Sequence, residues 1–89
     1  MIRARIRLDT SREVKDFCEA MNSDGTITKY TVEDLTGSYR VNARSFLGML
    51  AASADFGGHM YLVNETEDGV FPSFVDKFRH LGEDGEFIH

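Results

Sequence analysis

The sequence predicts a small α+β domain in which three helices pack on one face of a four-stranded, antiparallel sheet. Residues 2–8 alternate apolar side chains with arginines, a period of two that is typical of a half-buried strand. Apolar residues at the helical spacing i, i+3, i+4, i+7 recur at 14–21 and at 71–78. Residues 59–64 have a continuous apolar middle, which favours an internal strand. Each element has one apolar face, so two packed layers bury them all.

Residues 2–8 form the first strand of the predicted sheet, and residues 10–21 form the first helix. The arginines of the strand are expected to lie on a solvated sheet face. Thr10 and Glu13 have the spacing of a capping box, in which each side chain binds a backbone amide of the other residue. Cys18 lies in the apolar stripe of the helix, so we expect a buried and unreactive thiol.

A hairpin follows the first helix. Residues 26–32 are rich in β-branched side chains and predict the second strand. Residues 33–37 form the turn, and residues 38–41 form the third strand.

A second helix is predicted at roughly residues 45–54, with Asn42 or Ser45 as its N-cap. Two glycines end it before the fourth strand at 59–64.

The third helix is predicted from the apolar stripe at 71–78. Pro72 fits its first turn and Gly82 fits its end. The chain therefore divides into one domain at 1–82 and a flexible tail at 83–89. The order of elements is β-α-β-β-α-β-α.

The length, charge and cysteine content exclude several classes of protein. A chain of 89 residues is expected to form one domain with little room for a large internal pocket. A net charge of −5 argues against nucleic acid as a partner. With no run of 18 apolar residues and no apolar segment of a signal peptide, we expect a cytoplasmic protein without a membrane partner. The single cysteine excludes an internal disulfide and a multi-cysteine metal site.

Two segments carry a resemblance to a known family. "VNARSFLGMLAAS", followed by "GGHMYLVNETED", resembles HPr, the small phosphocarrier of the bacterial phosphoenolpyruvate-dependent sugar phosphotransferase system. The resemblance is specific from about 41 to 81 and weaker from 1 to 40, where mainly the order of elements agrees. It implies an open-faced β-sandwich with sheet order 1-4-2-3.

The resemblance implies two functional positions, and one of them is retained. Some HPr proteins are phosphorylated by a kinase on a serine at the start of the second helix, and Ser45, preceded by Arg44, occupies that position. Serine is also a favoured N-cap, so Ser45 is either a cap alone or a cap and a regulatory phosphorylation site.

The second position, the phosphocarrier histidine at the start of the first helix, is missing. Thr10 aligns with the histidine, Ser11 and Arg12 align with the next two motif residues, and Glu13 replaces the proline. A threonine hydroxyl without an adjacent base is a poor nucleophile. We therefore expect Thr10, Ser11 and Arg12 to form a degenerate carrier site.

The second helix has apolar side chains around nearly its whole circumference. One stripe must pack on the sheet, so we expect Phe46, Leu47 and Leu50 to be partly exposed and to bind a partner together with Arg44. There are two alternatives to a partner site. The helix lies deeper in the core, or a homodimer covers the patch.

Together with the resemblance, these observations favour a regulatory protein-interaction module without enzymatic activity or cofactor. The resemblance implies phosphotransferase-system or transcription-regulatory proteins as its partners. One alternative is an atypical phosphocarrier that uses another acceptor, such as His59, His80 or His89. His80, near the end of the third helix, is better explained by the helix dipole. The other alternative is a homodimeric scaffold.

Overall fold

The computed structural model of the chain describes residues 2–24, 29–66 and 71–88. The remaining residues, which include the start of the predicted second strand and His89, lie outside the described part. The described strands are β1 (Ile2–Arg7), β2 (Tyr30–Glu33), β3 (Arg40–Asn42) and β4 (His59–Asn64). The helices are α1 (Ser11–Ser23), α2 (Phe46–Asp55) and a 3₁₀ helix (Ser73–Phe78).

The four strands form one sheet in the order β1-β4-β2-β3, with every neighbouring pair antiparallel. Leu62 of β4 pairs with Ala4 on one side and with Val32 on the other, and all three side chains are buried. The prediction of an α+β fold with this sheet order is confirmed.

Helix α1 forms where the sequence predicts it, and it continues two residues beyond the predicted end at Met21, to Ser23. Its apolar stripe, Val14, Phe17, Cys18 and Met21, is buried along its whole length. The capping box is also confirmed, because the Thr10 hydroxyl oxygen accepts a hydrogen bond from the Glu13 amide at 3.1 Å.

The third helix differs from the prediction. It is a 3₁₀ helix of six residues that ends at Phe78, before the predicted end at Gly82. Arg79 is already extended, with φ −64° and ψ 139°, and it pairs with Ile6 at the free edge of β1. The His80 amide donates to the Arg5 carbonyl oxygen at 3.0 Å. The helix therefore stops where the chain begins to satisfy backbone groups of an edge strand.

The segment after this contact turns back on itself. Leu81 pairs with Phe87, and the Ile88 amide donates to the His80 carbonyl oxygen at 2.8 Å. Gly85 supplies the turn with a φ of +82°, a conformation that glycine adopts without a steric cost. The flexibility expected for residues 83–89 stays a prediction.

The connection from α2 to β4 approaches the end of β1 closely. Gly58 has a φ of +83°, and a Cβ atom there would lie 2.5 Å from Asp9 Oδ1 and 3.0 Å from the Leu8 carbonyl oxygen. The Leu8 amide donates to the Gly58 carbonyl oxygen at 2.8 Å. Only glycine allows this approach, which places the start of β4 beside the start of α1.

The face of the sheet away from the helices is not simply solvated. It carries the arginines of β1, but Val63 and Glu33 on the same face are fully buried. Glu33, which the sequence places in a turn, instead ends β2 and lies between Arg3 and Arg40.

Candidate functional site

Ser45 is the N-cap of α2. Its backbone is extended, with φ −90° and ψ 111°, and its hydroxyl oxygen accepts a hydrogen bond from the Gly48 amide at 3.2 Å. Asn42, the other candidate for the cap, instead accepts from the Arg44 amide at 2.9 Å and closes the turn before the helix. Ser45 is exposed, so its hydroxyl is both a cap and accessible.

Replacing Ser45 by alanine is expected to lower the free energy of unfolding by about 1 kcal/mol, the usual effect of losing a serine cap. Ser45→Asp should keep nearly all of the stability, because aspartate caps a helix as well as serine does. Urea unfolding followed by circular dichroism measures both changes. Ser11→Ala is the matched control, since Ser11 is exposed and is not a cap. Equal stabilities of the two alanine variants would contradict the capping role.

Arg44 joins the start of α2 to the end of α1. Its Nη1 atom donates to the Met21 carbonyl oxygen at 2.5 Å, and its guanidinium carbon lies 5.7 Å from the centre of the Tyr30 ring. The carbonyls of a helix C-terminus carry partial negative charge, so this position suits a cation. Arg44 thus has a structural role beside Ser45.

The predicted partner-binding residues of α2 are exposed to different degrees. Leu47 is 78% exposed and Phe46 is 43% exposed. Leu50 is half-buried and packs against the core, while Met49 and Ala52 are buried. The apolar patch on the first turn of α2 therefore consists mainly of Phe46 and Leu47, which we call the α2 patch.

A groove between α1 and α2 continues the α2 patch. It has a volume of about 600 Å³ and is lined by Lys15, Cys18, Glu19, Asn22, Ser23 and Phe46. Cys18 is only 4% exposed, and burial raises the pKa of its thiol. Less thiolate is present at neutral pH as a result, which agrees with the inert role expected for this cysteine.

The degenerate carrier site is occupied by the chain's own carboxylate. Glu13 Oε1 accepts hydrogen bonds from the Asp9 and Thr10 amides at 3.2 and 3.1 Å, and from the Thr10 hydroxyl at 3.1 Å. These are the groups that an external anion would use at a helix N-terminus. Ser11 and Arg12 are exposed. The geometry therefore makes this position a cap.

Two histidines that are distant in sequence, His59 at the start of β4 and His80 after the 3₁₀ helix, bring their rings together. The ring centres of His59 and His80 are 5.0 Å apart. The expectation that His80 interacts with a helix C-terminus is wrong, because the 3₁₀ helix ends at Phe78 and His80 pairs with β1. No local pattern in the sequence indicates this contact, since it depends on how the end of the chain folds back.

Comparisons with protein-family models, with curated proteins and with solved structures find no match to this chain. Within residues 2–24, 29–66 and 71–88, no helix is long and apolar enough to cross a membrane. In the same residues, no three histidine, cysteine or acidic side chains lie close enough together to hold a metal ion.

Proposed function

We propose that this chain is a regulatory protein-interaction module related to HPr, which binds its partner through the α2 patch and is controlled by phosphorylation of Ser45. The observation that supports this most is the exposure of Leu47, at 78%, beside Phe46, at 43%, on the turn that Ser45 caps. Single exposed apolar residues are common on protein surfaces. Two large neighbours, of which Phe46 also lines the groove between α1 and α2, favour a partner site.

The position of Ser45 suits a modification that changes the surface without unfolding it. A phosphate on the hydroxyl would add about 1.5 to 2 negative charges at neutral pH. Those charges would lie at a helix N-terminus, where the backbone dipole favours them. They would also lie beside Phe46 and Leu47, and a partner that buries these side chains would have to accommodate the new charge.

The relation to HPr is supported by the sheet order β1-β4-β2-β3 and by a serine that caps the second helix. The capping of α1 by Thr10 and Glu13 favours a regulatory role over phosphate transfer at that position. The proposed partners are phosphotransferase-system or transcription-regulatory proteins, and the proposed location is the cytoplasm.

Photo-crosslinking in the host cell tests the interaction. A benzophenone amino acid in place of Leu47 should crosslink to one distinct protein, identified by mass spectrometry. The same amino acid in place of Leu35, which is 45% exposed in the turn between β2 and β3, is the matched control. A crosslink to a second copy of the chain would instead favour the homodimeric scaffold. Identical products from the two positions, or none from position 47, would contradict the proposal.

Phosphosite mass spectrometry on protein purified from its host tests the switch. Phosphate on Ser45 is expected, and Ser45→Asp should change the crosslinking yield from position 47 while leaving the free energy of unfolding nearly unchanged. An unchanged yield would remove Ser45 from the regulatory role and leave it as a cap.

A further inference from the structure

A small cleft lies where the end of the chain folds back on the free edge of β1. Its volume is about 290 Å³, and its lining is rich in charge: Arg7, Asp9, Glu13, Lys77, Phe78, Arg79, His80 and Leu81. We call it the histidine cleft, because His80 connects its lining to the neighbouring ring of His59.

Nitrogen atoms without hydrogen-bond partners are concentrated around the cleft, and two of them belong to residues that line it, Arg79 and His80. Among the described residues, six buried side-chain nitrogen or oxygen atoms have no hydrogen bond. Four of them belong to this corner of the fold: Arg5 Nε, His59 Nδ1, Arg79 Nε and His80 Nδ1. Arg5 is beside His80, whose amide donates to the Arg5 carbonyl oxygen. Buried polar atoms normally have partners, so a group of potential donors without any suggests a ligand that accepts hydrogen bonds.

The acidic residues of the cleft already have partners. Asp9 Oδ2 lies 2.8 Å from Arg7 Nε, and the Glu13 carboxylate binds amides at the start of α1. Arg7 is therefore paired with Asp9 through its Nε atom. The Arg79 guanidinium carbon lies 4.4 Å from the centre of the Phe87 ring, and the Nε atom of Arg79 has no hydrogen-bond partner. Positive charge is thus in excess at this corner of an otherwise acidic protein.

We propose that the histidine cleft binds a small tetrahedral oxyanion, such as sulfate or phosphate, through Arg7, Arg79 and His80. The volume of about 290 Å³ is at the lower limit of known ligand pockets and fits a single ion with a few water molecules rather than a sugar or a nucleotide. Guanidinium groups bind the oxygens of such ions with short, charge-assisted hydrogen bonds. The site is separate from the α2 patch, and it does not depend on the function proposed above.

Anion binding at this position should be coupled to protonation of His80. Burial lowers the pKa of His80, and the positive charges of His59, Arg5 and Arg7 lower it further, while Asp9 acts in the opposite direction. Lys77, Arg79 and Glu13 are the other charged groups that line the cleft. A bound dianion would favour the imidazolium and raise the pKa of His80. Because such coupling is reciprocal, the anion should bind more tightly as the pH falls.

Nuclear magnetic resonance titration of the two histidine rings tests the proposal on the full chain. Sulfate is the probe, because it keeps two negative charges throughout the pH range in which histidine titrates. The expected result is a saturable shift of the His80 ring signals and a higher pKa of His80, compared with chloride at the same ionic strength. Shifts that are equal in chloride and sulfate would overturn the proposal. A saturable response to acetate but not to sulfate or inorganic phosphate would overturn the preference for a tetrahedral ion.

Two variants change the affinity in opposite directions. Arg7→Gln should weaken sulfate binding at least several-fold, because it removes a guanidinium from the lining. Asp9→Asn should strengthen binding, because it removes the carboxylate that pairs with Arg7. Arg12→Gln is the matched control, since Arg12 is exposed on α1 and does not line the cleft. The same affinity in all three variants would overturn the proposal, and the gain with Asp9→Asn cannot arise from loss of folding.

Discussion

Replacing Phe17 by alanine is expected to lower the free energy of unfolding by about 3–5 kcal/mol, the usual range for a buried phenylalanine. Phe17 is fully buried in α1, and its ring makes edge contacts with Phe74 and Phe78 at centroid distances of 6.1 and 5.3 Å. These three rings attach the 3₁₀ helix to the core. The substitution removes both contacts and leaves a cavity, because a close-packed interior relaxes only partly.

Urea unfolding followed by far-ultraviolet circular dichroism measures this loss, since the chain has no tryptophan for fluorescence. Phe46→Ala is the matched control, because it makes the same chemical change at a side chain that is 43% exposed. The control should cost about 1 kcal/mol or less, since partly exposed side chains lose less burial. Unfolding of both variants at the same urea concentration would contradict the claim that the aromatic contacts of Phe17 contribute strongly to stability. Native proteins have only about 5–15 kcal/mol of stability, so the Phe17→Ala substitution removes a large part of it.

The apolar stripe and the N-terminal cap of helix α1 could be predicted because their signals are local, whereas its end, at Ser23 rather than Met21, could not. The apolar residues follow the spacing i, i+3, i+4, i+7, which places them on one face of successive helical turns: Val14, Phe17, Cys18 and Met21. The capping box needs only Thr10 and Glu13, three residues apart. Such patterns depend on backbone geometry within a few residues, and no distant contact competes with them here.

The end of the chain could not be predicted in the same way. The apolar spacing at 71–78 is that of an α-helix, and the 3₁₀ helix does bring Phe74 and Phe78 to the core. Its early end follows from backbone pairing of Arg79 and His80 with β1, more than 70 residues earlier in the chain. The histidine cleft results from that same pairing, so no local pattern in the sequence could indicate it.

The candidate site on α2 was predictable only in part. Apolar residues around the whole helix indicate that some of them are exposed, but they do not indicate which ones. The structure leaves Phe46 and Leu47 exposed and packs Leu50 against the core. The choice depends on the angle at which α2 lies against α1, which is a property of tertiary packing.

Replacing Glu33 by glutamine has the second-largest expected effect on the free energy of unfolding. The sequence predicts Glu33 in a turn, but the structure buries its charge. Glu33 is fully buried, although the arginines that contact it, Arg3 and Arg40, have side chains that are 50% and 45% exposed. Breaking a fully buried ion pair costs about 3–5 kcal/mol. Because both arginines remain accessible to water, and Arg40 also binds Glu65, we expect a smaller loss of about 2 kcal/mol.

Urea unfolding of Glu33→Gln measures this loss, and Glu19→Gln is the matched control. Glu19 pairs with Lys15 at 3.9 Å on the exposed surface of α1, where such pairs contribute about 0.5 kcal/mol or less. The loss at Glu33 should also persist in high salt, because buried pairs are screened less than exposed ones. Equal losses from the two variants would show that Glu33 contributes no more than a surface charge.

The two arginines around Glu33 are not equivalent, and a double-mutant cycle separates them. Arg40 Nε donates a hydrogen bond to Glu33 Oε2 at 3.1 Å. Arg3 Nε lies 3.0 Å from Glu33 Oε1, yet that oxygen accepts no aligned hydrogen bond. A charge-assisted hydrogen bond is stronger than a charge contact without alignment. The coupling energy of Glu33→Gln with Arg40→Gln should therefore exceed the coupling energy with Arg3→Gln, and the reverse order would show that Arg3 is the main partner of Glu33.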